Sequence, residues 1–195
     1  MENYTSNKKY DSTAAFFIQP GFVEGVIAEE LEFNSIETAF ENIFKNNKEF
    51  CVISWNKIPF KLSYKEDIPF LIPSITKTLD LLFNSDEKNW STHFYSKNCD
   101  FTWSFSIIDD SIFVVGDFIK ISGNHQKAIN SLSNFRMDIN TFLKEWKLLI
   151  EQILSAFEQS EHQLTNSNDQ KLIDILFDIN AFIPSRALRY QYDKR

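Results

Sequence analysis

The sequence predicts an α+β fold, with one mostly antiparallel sheet, helices packed on one face of it and a helical C-terminus. Residues 90–121 alternate apolar and polar side chains in consecutive segments separated by short turns, which is typical of an antiparallel meander. Apolar stripes with helical spacing are inserted singly between strands, and two more follow the last strand. The chain has 195 residues, of which 43% are apolar and 24% charged, so a sizeable core is expected.

One domain is predicted over residues 13–185, because no hinge or composition shift divides the chain. Residues 1–12 form a polar N-terminal tail in this interpretation. Residues 186–195 form a basic C-terminal tail, with three arginines and a lysine against one aspartate.

The first elements are strands. Residues 14–19 form a short strand, and a turn at Pro20 leads into a longer strand over 23–33, where apolar odd positions alternate with glutamates. Asn34 followed by Glu37 is a capping-box pattern that predicts a helix.

A second group of strands is predicted next. Residues 50–55 are apolar on both faces, as in a central strand, and residues 60–65 alternate as a partner strand. Pro69 and Pro73 argue against a helix through residues 68–72, so the following helix is expected to start at Pro73 and reach about Phe83.

The meander and the C-terminal helices complete the prediction. Strands are expected over residues 90–95, 101–107, 112–121 and 135–139, with a polar loop before the last. Two helices then follow, capped by Asn140 and Asp169. The core stripe of the first is Phe142, Leu143, Trp146, Leu149, Ile150, Ile153 and Phe157.

The charge distribution is the strongest functional signal. No lysine or arginine occurs between Asp11 and Lys45, although the segment holds seven carboxylates, as many as the net charge of −7. Apolar residues are interleaved with them, which indicates a folded segment. A one-sign acidic face attracts a basic partner and repels nucleic acid, whereas an ordinary soluble surface mixes both signs.

Signatures of common enzymes are missing from the sequence. His93, His125 and His162 have no metal-binding spacing, and the four glycines form no phosphate-binding loop, so neither a metal nor a cofactor is predicted. Cys51 and Cys99 are too few for a disulfide scaffold, and Cys51 lies in an apolar run that predicts a reduced, buried thiol.

Two carboxylates interrupt apolar patterns and suggest an alternative function. Glu29 lies among the apolar odd positions of its strand, and Asp117 lies between Val115 and Ile119. If both faced an apolar pocket, they could serve a small enzyme or a ligand-binding protein. A β-bulge at Gly116 would instead turn Asp117 outward.

The N-terminus lacks the apolar region of a secretory signal, and no apolar run is long enough to span a membrane. A cytoplasmic protein without a membrane partner is therefore expected. The acidic net charge adds the expectation that it has no nucleic-acid partner. Its oligomeric state is left open, and an oligomeric module with an apolar dimer interface is a further alternative.

Residues 103–121 and 135–139, followed by a helix of the form F-L-x-E-W-x-x-L-I that contains Glu145 and Trp146, resemble a family of bacterial proteins. This family is the small immunity proteins of polymorphic-toxin and contact-dependent inhibition systems. The resemblance implies a soluble, acidic, non-enzymatic protein that covers a cognate, often basic, toxin. The contact candidates are then Glu29, Glu30, Glu32, Glu37 and Glu41, with Asp109 and Asp110 as weaker ones.

Overall fold

A computed structural model describes residues 15–21, 23, 32–44, 49–160 and 163–184. Their elements, in chain order, are β1 (Phe16–Gln19), β2 (Glu32–Phe33), α1 (Ile36–Ile43), β3 (Phe50–Trp55), β4 (Ile58–Ser63), α2 (Ile68–Asn84), β5 (Asn89–Tyr95), β6 (Asp100–Ile108), β7 (Ser111–Lys120), α3 (Gln126–Ser131), β8 (Asn134–Asp138), α4 (Ile139–Ser160), β9 (Gln163–Leu164) and α5 (Ser167–Phe182). The α+β class and the helical C-terminal region are confirmed. The predicted tails, residues 1–12 and 186–195, lie outside the described residues.

The described strands are divided among three sheets rather than the one mostly antiparallel sheet that the sequence predicts. The predicted meander is confirmed as an antiparallel four-stranded sheet in the order β5-β6-β7-β8. A second antiparallel sheet has the order β1-β3-β4, which confirms β3 as a central strand. The two-residue strands β2 and β9 pair in parallel. The predicted long strand over 23–33 is described only at residue 23 and at β2.

The core lies between the two larger sheets and α4. Trp103, on the inner face of β6, is fully buried and contacts both Phe16 of β1 and Trp55 of β3, with ring centroids 5.7 and 5.1 Å away. On α4, Phe142 and Trp146 pack against the same Phe16 ring, at 5.1 and 6.2 Å. One aromatic cluster therefore joins both sheets to the long helix.

The proline-based prediction for α2 is wrong. The helix begins at Ile68, so Pro69 is its second residue and Pro73 lies inside it. Pro73 removes only the bond to the Pro69 carbonyl, at a cost of about 3 kcal/mol. Helical residues 68, 71, 72 and 75 are buried, and each buried Leu or Ile side chain contributes roughly 1.5–3 kcal/mol, so burial offsets that cost.

In each outer strand of the two larger sheets, a backbone group is hydrogen-bonded to a side chain from elsewhere in the chain. These bonds are Ile18 N to Glu145 Oε2 (3.1 Å) at β1, Lys61 N to Ser122 Oγ (2.9 Å) at β4, Ser74 Oγ to His93 O (2.6 Å) at β5, and Asn56 Nδ2 to Asn134 O (2.8 Å) at β8. Such contacts use backbone groups that could otherwise pair with a strand of another chain.

Among the described residues, no helix combines the length and the apolar character needed to cross a membrane.

Candidate functional site

Helix α1 is anchored by contacts at both of its ends. Ser35, rather than the predicted Asn34, is the N-cap, and its Oγ accepts a hydrogen bond from Thr38 N at 3.3 Å. The Ile36 N–H donates to the Asp169 carboxylate in the first turn of α5, at 2.9 Å. Toward the C-terminal end of α1, Phe40 packs against Phe157 near the C-terminal end of α4, with centroids 5.3 Å apart.

Three predicted contact residues lie on and beside this helix. Glu32 and Glu41 are exposed and Glu37 is partly exposed, so their carboxylates remain accessible to solvent. The ion pairs found in the described part of the chain, His93–Asp100 and Lys147–Glu151, include none of the three. Glu29 and Glu30 lie outside the described residues.

The sequence analysis did not identify a fourth exposed carboxylate near helix α1. Glu158 is exposed and directly follows Phe157, so it lies at the same end of α4 as helix α1. Its position outside the apolar stripe of α4 could have indicated an exposed side chain, but not its proximity to α1. We refer to Glu32, Glu37, Glu41 and Glu158 as the α1 surface.

The weaker candidates Asp109 and Asp110 lie elsewhere. They are exposed in the turn between β6 and β7, where Asp109 adopts a φ of 53°. The Asp110 carbonyl accepts a hydrogen bond from Ile139 N at the start of α4, at 3.0 Å. Because Ile139 and Phe157 are 18 helical residues apart, about 27 Å of helix separates this turn from the α1 surface. The structure does not bring the two groups together.

Asp117 does not face an apolar pocket, which corrects the premise of the alternative function. Residues 112, 114, 116 and 118 of β7 point inward, so Asp117 is exposed on the outer face beside Val115 and Ile119, themselves 39% and 66% exposed. The bulge suggested at Gly116 is also wrong, because Gly116 pairs regularly with Trp103 and the register shifts at Asp100/Phe101 instead. Glu29 lies outside the described residues.

The described histidines form no metal centre. His93 is exposed and its Nε2 lies 2.8 Å from Asp100 Oδ1, whereas His125 is exposed at the start of α3. Within the described ranges, no group of three or more His, Cys, Asp or Glu side chains could hold a metal ion. His162 lies outside them.

A buried polar network ties the start of α2 to the turn between β5 and β6. Asp67, 2% exposed, accepts hydrogen bonds from Ser63 N at 2.8 Å and from Ser96 Oγ at 2.5 Å. Ser96 Oγ also lies 3.1 Å from Cys99 Sγ and accepts from Cys99 N. Both carboxylate oxygens of Asp67 are therefore bonded within the fold, as a buried charge requires.

Both cysteines are buried free thiols, as predicted for Cys51. Burial raises the pKa of Cys51 to about 12, and the negative charge of Asp67 acts in the same direction. Burial likewise raises the pKa of Cys99 to about 11, opposed by the hydrogen bond with Ser96. Neither thiol is poised as a nucleophile near neutral pH.

These pKa values predict a loss of stability in alkali. Above pH 9, the ordinary thiol value, the unfolded chain loses thiol protons that the folded chain retains, so the unfolded state binds fewer protons. We expect the free energy of unfolding to fall from pH 9 toward 11, by up to roughly 1.4 kcal/mol per pH unit for each thiol. Urea unfolding of the parent and of Cys51→Ala/Cys99→Ala across this range measures it. Equal slopes in the two proteins would contradict the assignment.

Glu145 is a second buried carboxylate, and its place in the helical pattern could have indicated its burial. It is 5% exposed, and it lies three residues after Phe142 and four before Leu149, on the buried stripe of α4. Its Oε2 accepts from the Ile18 backbone N–H of β1. This contact fixes α4 against the three-stranded sheet, and so helps to place the α1 surface at the other end of the helix.

Comparison of the chain with family models, with curated proteins and with solved structures gave no match. The resemblance to immunity proteins therefore stays a prediction from the residues that carry it.

Proposed function

We propose that this chain is a non-catalytic binding protein that masks a basic protein partner through the α1 surface, in the manner of the immunity proteins it resembles. The observation that carries the proposal is the set of solvent-accessible carboxylates Glu32, Glu37 and Glu41, which are in no ion pair among the described residues. Such carboxylates can accelerate association with a cationic surface and fix its orientation.

The placement of Glu41 supports a role beyond helix stability. Glu41 lies one turn after Glu37, and like charges at this spacing repel by about 0.2–0.5 kcal/mol. It also lies in the last turn of α1, where the helix dipole favours a cation and where the helix has none. Glu41 is thus unfavourable for α1 on two counts, which fits a side chain retained for an external contact.

The outer strands indicate how a partner would bind. Each outer strand of the two larger sheets is already bonded by a side chain from another element. Each of these bonds occupies a backbone group that an added strand would need, so we expect contacts through side chains on the surface of the fold to be favoured over addition of a strand to a sheet.

Glu41→Lys is expected to affect stability and binding in opposite directions. The substitution removes one repulsion, places an ammonium group one turn after Glu37 in the favourable order and complements the helix dipole, so the free energy of unfolding should rise by about 0.5–1 kcal/mol. Partner affinity should fall, because a cation replaces a carboxylate in the contact. Thermal unfolding and calorimetric titration measure the two effects, and a rise in stability with unchanged or increased affinity would contradict the proposal.

The decisive variant combines Glu32→Lys, Glu37→Lys and Glu41→Lys. We expect its affinity for the partner, sought first in the product of the adjacent reading frame, to fall about a hundred-fold or more at low salt, and less as salt rises. The matched control is Asp109→Lys/Asp110→Lys, which reverses two exposed carboxylates at the far end of α4. Because the control reverses two carboxylates and the test variant three, equal losses per reversed carboxylate would show that net charge, and not the α1 surface, governs binding.

A further inference from the structure

A cleft of about 340 Å³ lies between the outer side of β4 and the end of β7, remote in the sequence from the α1 surface. Lys61 and Ser63 of β4 line one wall, and Lys120 and Ser122 line the other. Asn98, from the turn between β5 and β6, closes one side. The cleft is shallow and open to solvent, and its volume is at the lower end of the range of about 300–1,000 Å³ that small-molecule sites occupy.

The two walls of the cleft are joined by direct hydrogen bonds. Ser122 Oγ accepts from Lys61 N at 2.9 Å and donates to Lys61 O at 2.5 Å. The chain after Lys120 is held in turn by Gln126, which accepts from Ile121 N at 3.1 Å and donates to the Phe118 carbonyl. A ligand would meet walls that are already in place, which lowers the entropy cost of binding.

Two ammonium groups flank the cleft, and both contact uncharged partners. Lys61 Nζ lies 4.0 Å from the centroid of the Phe50 ring, and Lys120 Nζ donates to the Lys97 carbonyl at 2.5 Å. Within the described ranges, neither lysine is in an ion pair. Since an ammonium group carries three donors, each retains capacity for an acceptor, in a chain whose net charge is −7.

Asp67 also lines the cleft, but its carboxylate is not free to bind a ligand. It is 2% exposed, and both of its oxygens are bonded to Ser63 N and Ser96 Oγ. Its negative charge would repel an anion at the bottom of the cleft, so an anionic group would be favoured near the exposed lysines at the rim.

We propose that this cleft binds a small organic anion, with its carboxylate or phosphate between Lys61 and Lys120 and its apolar part beside Phe50. The partly exposed Phe50 ring supplies apolar surface, and the two ammonium groups supply the charge-assisted hydrogen bonds that select an anion. The site is independent of the proposed masking of a protein partner.

Amide chemical shifts of the full chain, titrated separately with inorganic phosphate and with benzoate at constant ionic strength, test the proposal. We expect saturable shifts at Ser63, Asn98 and Ser122 with at least one of the two probes. Saturation with phosphate would indicate a phosphate ester, and saturation with benzoate a carboxylate with an apolar body.

Lys61→Met and Lys120→Met should each weaken this binding about ten-fold or more, as expected for the loss of one charge-assisted hydrogen bond. Lys88→Met is the matched control, because Lys88 is exposed beside the opposite end of β5, about 20 Å along that strand from the cleft, and should leave binding unchanged. Shifts that stay linear with both probes, or that persist in both cleft variants, would overturn the proposal. So would variants that lose only thermal stability, since the lysines would then merely compensate the charge of Asp67.

Discussion

Replacing Trp103 by alanine is expected to lower the free energy of unfolding by about 3–5 kcal/mol, at the upper end of what a single core substitution costs. Trp103 is fully buried, and its ring contacts both Phe16 and Trp55 of the three-stranded sheet as well as Trp146 of α4. Alanine would leave a cavity where both sheets and the long helix meet. Chemical denaturation followed by circular dichroism measures the loss.

Trp103→Phe is the matched control. It keeps an aromatic ring in the cluster, and it removes an indole N–H that is buried without a hydrogen-bond partner in the described structure. We expect this variant to lose clearly less than the alanine variant, because the cavity that it leaves is smaller. A similar loss in the alanine and phenylalanine variants would show that the ring contacts do not account for the stability of the cluster.

Asp67→Ala is expected to cost about 2–5 kcal/mol. The substitution removes the carboxylate that accepts hydrogen bonds from Ser63 N and Ser96 Oγ. Both donors then lose this hydrogen-bond acceptor inside the fold. Because the network joins β4 and α2 to the turn between β5 and β6, its loss should also reduce the amide-exchange protection of that turn.

Asp67→Asn, which retains one acceptor oxygen, should lose less than Asp67→Ala. The double-mutant cycle with Ser96→Ala should give a coupling energy of roughly 0.5–3 kcal/mol, since the two side chains are directly bonded. Additive losses would mean that the bond between Asp67 and Ser96 makes no separate contribution.

The strands of the meander could be predicted because one face of the sheet is buried and the other is not. Trp103 and Phe105 alternate with Thr102 and Ser104, and this period of two appears directly in the sequence. The start of α2 could not be predicted from local rules, because the burial of residues around Pro73 outweighs the backbone bond that the proline removes. The two-residue strands β2 and β9 are too short to have a period, and their pairing depends on the path of α4.

The candidate site was only partly predictable for a related reason. The sequence identifies Glu37 and Glu41 as neighbours because they are one helical turn apart. It could not show that Asp110 lies beside the start of α4 while α1 packs near its other end, because both contacts are tertiary. It could not show that Asp67 is buried either, because the partner Ser96 lies 29 residues away in the turn between β5 and β6.

The most direct test of the central claim is hydrogen–deuterium exchange of the chain, free and in complex with its protein partner. Masking of the partner through the α1 surface predicts increased protection over residues 32–43 and around Glu158, with no change at the Asp109–Asp110 turn. Protection confined to that turn, or to the outer face of the four-stranded sheet around Val115 and Asp117, would contradict the account.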